Sequence, residues 1–476
     1  MKDAAPAYDS AELSLGIAGF TYADLYEPHA LARLTTAFHD HLAGADAAVA
    51  ERFAAYRACG GDGMSPEAVS EVLVDTAPWL GRFVARLFRI EAAWQVQHDH
   101  IRDEDDVVLG FRNEFVAPLA KAFKNADTTD WDRVALEHAV TALRAAARAT
   151  ARHPDDDEYL TARAAGLRDG RLARQDGFLA GLRSVHNAWS GLADDALLEA
   201  ARADLARWCH LVRSEPDFDP HAANTWIAFK EPARTDVRHL VHHPRREHAG
   251  FDTWAADSAT RRRRDGFSLT DPRMPLRKVL YEVDHCIYCH DRDNDTCAKG
   301  MPNKKEGGFK TNALGVPVTG CPLGEKISEM HLVKRRGDNI GALALVVIDN
   351  PMCPGTGHRI CNDCMKGCIY QKTEPVNIPQ IETNVLTEVL ALPWGYEIYA
   401  LLTRWNPLNI ARPHMLPYNG KKVLVAGLGP AGYTLAHYLL NEGFAVAGID
   451  ALKLEPLPAA LTGSLHAPPQ PVRDFR

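Results

Sequence analysis

The 476-residue chain has no apolar run long enough to span a bilayer. Its most apolar stretch, Ile340 to Ile348, is about half the length of the ~20 residues a spanning helix needs. The first residues, Met1-Lys2-Asp3-Ala4-Ala5-Pro6, contain no apolar segment of the kind that directs secretion. Positive charge is not in excess. A net charge of −8 excludes a globally basic surface for nucleic acid. These absences lead us to expect a cytoplasmic protein that works without membrane or nucleic acid. In a reducing compartment, close cysteines favour metal or redox work over structural disulfides.

Cysteine is what the sequence concentrates. Eight of the ten cysteines lie between Cys286 and Cys368: Cys286, Cys289, Cys297, Cys321, Cys353, Cys361, Cys364 and Cys368. Two metal readings compete. A zinc ribbon needs four thiolates, which Cys286-x2-Cys289 and Cys361-x2-Cys364 would supply. An iron–sulfur cubane also needs four, usually three close in sequence and one remote, and eight cysteines suffice for two. Proline follows Cys321 and Cys353, as it follows a ligand in bacterial ferredoxin runs. A single zinc would leave four of these cysteines unexplained.

The first 270 residues or so read as helical. Pro28 suits a helix start, with Leu31, Leu34, Phe38 and Leu42 along one face. Ser65-Pro66-Glu67 is a second start signal, and Pro78 is expected to break or kink the helix that it opens. Leu136, Val140, Leu143 and Ala147, then Leu198, Ala201, Leu205 and Trp208, mark further helices of a bundle. No catalytic motif stands out here. His98-Asp99-His100 spaces its histidines two apart, which do not share a helix face. His239, His242, His243 and His248 read as a solvated loop, and Arg261 to Arg264 as a linker charge cluster. Cys209 beside Trp208 reads as a packed core thiol.

Near the C-terminal end, Val423 to Ala426 is a short strand run. Gly427-Leu428-Gly429-Pro430-Ala431-Gly432 comes next, then a helix to Asn441, then a strand, Phe444 to Ile449, ending at Asp450. A glycine fingerprint between strand and helix, with an acid 23 residues beyond its first glycine, points to dinucleotide binding. Gly427 would permit the turn, Gly429 the approach of a pyrophosphate, and Gly432 the packing of helix on strand. Asp450 would accept from a ribose hydroxyl.

The order of these motifs resembles a known family. Gly320-Cys321-Pro322-Leu323-Gly324, Arg359 through Cys368, Pro375-Val376-Asn377-Ile378, Ile381-Glu382 and Lys421 to Gly432 look like the small subunit of glutamate synthase. The N-terminal part of dihydropyrimidine dehydrogenase is built similarly. The resemblance covers residues from about 280 to 460. It implies a flavin- and NAD(P)H-dependent oxidoreductase with two 4Fe-4S clusters and FAD. Cys286, Cys289, Cys297 and Cys368 would hold one cluster. Cys321, Cys361 and Cys364 would hold most of the other, with Cys353 or Glu382 as its fourth ligand. FAD would lie on Gly427, Gly429, Pro430, Ala431, Gly432 and Asp450. The sequence departs from the family pattern Cys-x2-Cys-x4-Cys-x3-Cys-Pro by a longer gap before Cys297 and by 23 residues between Cys297 and Cys321. That insertion, rich in Gly and Lys, is expected to be a loop.

The expected organisation is therefore a mainly α N-terminal half (1–250), a linker (251–280), an α-helical ferredoxin-like iron–sulfur domain (281–418) and the incomplete start of an α/β Rossmann-like FAD-binding domain (419–476). The NAD(P)H site would lie outside this chain. A larger catalytic subunit or further C-terminal domains would complete it, because one β–α–β unit leaves a parallel sheet with an open edge. The alternative is a zinc-stabilised interaction scaffold with a degenerate nucleotide-binding fold.

Overall fold

The computed structural model describes residues 13–148, 151–166, 178–234, 236–238, 240, 243, 245–255, 266–267, 269, 271–292, 294–358, 360–451, 457–464 and 466–475. His239, His242 and Arg261 to Arg264 lie outside the described residues. The chain is mostly helical with few strands. Composition set a boundary near residue 250. The packing instead groups residues 1–98 with 233–476 as one unit and leaves 99–232 as another.

The first unit begins with helices α1 (Pro28–Ala45), α2 (Ala47–Cys59) and α3 (Pro66–Leu87), followed by α4 (Glu91–Glu104), which continues into the second unit. Ser65 caps α3 by accepting from the Ala68 amide at 3.1 Å, with Pro66 in the first turn and Glu67 at the positive end of the dipole. Pro78 does not end this helix. Its missing N–H frees the Val74 carbonyl, which instead accepts from Arg336 at 3.4 Å. The break falls at Arg89, in the left-handed region with φ 55°, where the Ile90 amide closes back on the Ala85 carbonyl at 2.9 Å.

The second unit, residues 99–232, is built on α5 (Arg133–Arg148), α6 (Asp157–Ala165) and α7 (Asp194–Ser214). Its core takes in Leu136, Val140, Leu143 and Ala147, then Ala201, Leu205 and Trp208, the stripes visible in the sequence. Cys209 is buried among them.

The first unit resumes with an exposed antiparallel hairpin, β1 (Arg245–His248) and β2 (Phe251–Trp254), at the edge of the expected linker. Helices α8 (Leu276–His285), α9 (Ile327–Arg335), α10 (Asn339–Asp349), α11 (Ile378–Leu390) and α12 (Gly395–Arg404) come after it. Helix α10 is the apolar run Ile340 to Ile348, and Ile340 to Val347 are all buried. A helix apolar all round must be enclosed on every side. Helix α3 encloses it closely: a Cβ on Gly341 would lie 2.6 Å from the Ala77 carbonyl. Asp338 caps α10 through the Gly341 amide at 2.9 Å and accepts from Trp94 Nε1 at 3.4 Å. Trp405 is fully buried and donates to Thr35 at 2.9 Å, so it is core.

The unit ends in β3 (Lys422–Ala426), α13 (Pro430–Asn441) and β4 (Ala445–Ile449). The strands pair in parallel from Lys422–Ala445 to Ala426–Ile449. Two strands and one helix are what the structure describes of an α/β fold, and Leu424, Leu435, Leu440 and Ile449 are exposed on them. Among the described residues, no single helix is long and apolar enough to cross a membrane.

Lys334, on α9, is fully buried and donates to Asn339 Oδ1 at 2.6 Å. Burial lowers its pKa to about 8, the Glu388 charge opposing. The unfolded chain therefore binds the extra proton between about pH 8 and the ordinary lysine range, so stability rises with pH across that window. In urea titrations, wild type should gain on Lys334→Met as pH rises from 8 to 10, by an amount on the order of 2 kcal/mol. A pH-independent difference would refute the lowering of the Lys334 pKa by burial.

Candidate metal and nucleotide sites

The first group of cysteines is assembled from four places in the chain. Cys286 ends α8, its amide bonded to the Glu282 carbonyl at 3.2 Å. Tyr288 then takes a left-handed conformation, φ 51°, which turns the chain so that its amide donates to Cys286 Sγ at 3.4 Å. Cys289 opens a short 3-10 turn and Cys297 sits in the turn Thr296–Lys299. Cys368 comes directly after the short helix Asp363–Gly367. Gly367 makes the meeting feasible, since a Cβ there would lie 2.6 Å from the Thr296 carbonyl.

Cys286, Cys289, Cys297 and Cys368 line one cavity, walled otherwise mainly by Ile287, Ile327, Val376 and Ile378. Burial pushes the Cys286 thiol up to about 12 and Cys297 well up, and neighbouring thiols and Asp295 add to both. Cys368 is also raised by burial, although backbone amides of Tyr370 and Val376 donate to its sulfur. Four thiolates here need bound cations to be stable. His331 also reaches this wall. It is fully buried, and neither ring nitrogen has a hydrogen-bond partner. Burial, then the His290 charge, lowers its pKa to about 3, which keeps it neutral.

The insertion between Cys297 and Cys321 is an excursion that closes on itself. Met301 bonds to Val318, and Val318 to Lys310, by backbone hydrogen bonds of 2.9 and 2.8 Å. Its two ends meet where a Cβ on Gly300 would lie 2.5 Å from the Thr319 carbonyl. The Cys321 amide then bonds to the Cys297 carbonyl at 2.8 Å, as if the 23 residues were absent.

Cys321 begins the second group. Burial raises its thiol to about 11, as does Glu325, while the amides of Leu323, Gly324 and Glu325 donate to the sulfur. Burial raises Cys364 further, with Cys321, Glu325 and Cys361 adding to it. Cys361 is exposed. Cys353 is buried beside Glu382 and Glu325, whose charges add to burial in raising it. A Cβ on Gly357 would lie 2.7 Å from both the Cys353 carbonyl and Glu382 Oε1. Glu382 is itself raised by burial, then by Glu325, and accepts from Asn350 at 3.0 Å. Sequence reasoning missed Glu325, although it lies four residues after Cys321. Burial and Asp349 raise it to about 7.

The two cysteine pairs of a zinc ribbon are not brought together. Cys286 and Cys289 face Cys297 and Cys368, whereas Cys364 faces Cys321 and Cys361. A tetrahedral zinc with ~2.3 Å bonds would set sulfurs about 3.8 Å apart. Among the described residues, no three cysteines have sulfurs mutually within 4.8 Å.

The glycine turn lies beside the second group. Gly427 has φ 94°, and a Cβ on Gly432 would overlap the Gly427 carbonyl. Gly429 caps α13, with Pro430 and Ala431 in its first turn. Asp450 accepts from the Leu428 amide at 2.6 Å, which ties the acid to the turn. Tyr433, next after Gly432, packs against Gly355, where a Cβ would lie 2.5 Å from the phenol oxygen. Gly355 is two residues from Cys353.

Residues 15–89 match a family described as the RP005 N-terminal alpha-helical domain. The chain is 60% identical over 106 residues to uncharacterized protein RP006 of Rickettsia prowazekii, covering 22% of this chain and 15% of that protein. It is 36% identical over 74 residues to uncharacterized protein RP005 of the same organism, covering 14% and 25%. It is also 29% identical over 135 residues to the glutamate synthase [NADPH] small chain of Mycobacterium tuberculosis, covering 28% of this chain and 25% of that one. The chain thus spans a quarter or less of each relative's length. No solved structure matches.

A Gly367→Val variant should lose on the order of 1–3 kcal/mol in urea titrations, because its Cβ would meet the Thr296 carbonyl and the backbone of Gly320 and Cys297. Undiminished stability would refute this close approach of the Cys368 and Cys297 segments.

Proposed function

We propose that this chain is the electron-transfer part of a flavin- and iron–sulfur-dependent NAD(P)H oxidoreductase, similar to the glutamate synthase small subunit. What carries the reading is one continuous path of contacts. It runs from the first cysteine group, through the Cys321–Cys297 hydrogen bond, to the second group, and through Gly355 and Tyr433 to the glycine turn.

The donor chemistry fits clusters: buried thiols in two groups, apolar walls, and backbone amides aimed at sulfur. Cys286, Cys289, Cys297 and Cys368 would hold one 4Fe-4S cluster. Cys321, Cys361 and Cys364 would hold the other, with Cys353 or Glu382 as fourth ligand. Bound there, the clusters supply single-electron transfer. The chain's residues bind them, keep water out and set their potentials through hydrogen bonds and burial. His331, kept neutral, offers an N–H to the first site. At the turn, the N-terminus of α13 would face the FAD pyrophosphate and Asp450 the ribose. The NAD(P)H site and the final acceptor would belong to a larger catalytic subunit or to further C-terminal domains. The acting protein would be cytoplasmic.

Anaerobically purified protein should be brown, with about eight irons per chain and two reducible clusters by electron paramagnetic resonance. Cys286→Ala should remove the signal of one and Cys364→Ala that of the other. Colourless protein with stoichiometric zinc would favour the scaffold reading instead. Losing its donor in His331→Leu should move one cluster's potential, and only one, to more negative values in a redox titration.

A further inference from the structure

The second unit contains a group of side chains that the electron path does not use. His100 and Glu104 lie one turn apart near the end of α4, at a spacing that puts both on one face. His153 reaches them from the connection between α5 and α6. Its position is fixed twice. Its carbonyl accepts from the Asp156 amide at 3.3 Å, just before Asp156 caps α6. Its ring packs edge-on against Tyr159 at 4.9 Å, and the Tyr159 hydroxyl donates to Asp103 at 2.7 Å.

Candidate ligand atoms of the three residues lie within 4.8 Å of one another. Glu104 is 5% exposed. His153 Nε2 is shielded from solvent and makes no hydrogen bond. It points at Glu104 Oε1 from 3.7 Å, too far for a hydrogen bond. Two ligands sharing a metal at ~2.0–2.2 Å each stand about 3.4 Å apart in tetrahedral geometry. Immediately after Glu104 the helix widens into π-helical turns, Asp105–Leu109 and Phe111–Val116, a distortion often found at functional sites.

We propose that His100, Glu104 and His153 form a binding site for a divalent transition-metal ion of the zinc class. Two imidazoles and one carboxylate suit such an ion. Three protein ligands leave a fourth position for water or a substrate oxygen, as in hydrolytic rather than structural zinc sites. The pairing was hidden in the sequence because His100's obvious neighbour, His98, is on another face, and its partner is 53 residues away.

The site is independent of the cluster reading, and cobalt(II) separates the two. Titrated into anaerobic, cluster-loaded full-length protein, one equivalent of cobalt should bind. It should give the visible bands of nitrogen and oxygen ligation without the thiolate charge-transfer band that cysteine sites produce. Glu104→Gln and His153→Gln should each weaken binding at least about tenfold. Zinc should raise the melting temperature of wild type and not of either variant. Should a variant fail to fold, wild type alone decides: zinc should protect His153 from carbethoxylation, read by peptide mass spectrometry. Equal affinity in wild type and variants, or no protection of His153, overturns the proposal, and a plain histidine–glutamate ion pair gives those results.

Discussion

Helix Asn339–Asp349 has no polar face, and much of the structure results from having to bury it. Surrounding it takes more surface than the cysteine-bearing segments offer. Helix Pro66–Leu87 supplies the rest, approaching closely enough that Gly341 must lack a side chain. The contact carries polar fittings that only this pairing explains. Asp338 caps one helix and receives Trp94, and Arg336 satisfies the carbonyl that Pro78 releases in the other. Residues 1–98 are therefore part of the unit that holds the cysteines.

Around that core, the thiols are held against their own preference. Burial raises every cysteine pKa resolved in the two groups, neighbouring thiols or carboxylates add to it, and backbone amides directed at Cys286, Cys321 and Cys368 offset only part. Glycines set the geometry. Gly367 lets Cys368 approach the Cys297 turn, and Gly300 closes the insertion so that Cys297 and Cys321 bond directly.

Much of this was legible in the residues. The cap at Ser65, the stripes of the second unit, the core role of Cys209, and the strand–turn–helix at Gly427 all rest on local rules of periodicity, capping and turn chemistry. Other features were not legible. Pro78 was expected to break or kink its helix; the helix runs through it to Leu87, and a tertiary arginine takes the carbonyl that it frees. The hairpin Arg245–His248 and Phe251–Trp254 lies where composition marks loop and linker. Glu325 drew no attention because a carboxylate near a cysteine is unremarkable until both are buried together.

Sequence alone showed eight cysteines gathered within 83 residues and one glycine turn between strand and helix, because residue type and spacing are local properties. It also determined several of the helices, through periodicity and capping. Tertiary structure decided which cysteine faces which, since four from one group come from points as distant as Cys286 and Cys368. It decided that the first hundred residues enclose the cysteine region, and that His153 meets Glu104. Each of these depends on contacts between segments distant in sequence, which no single stretch of chain encodes.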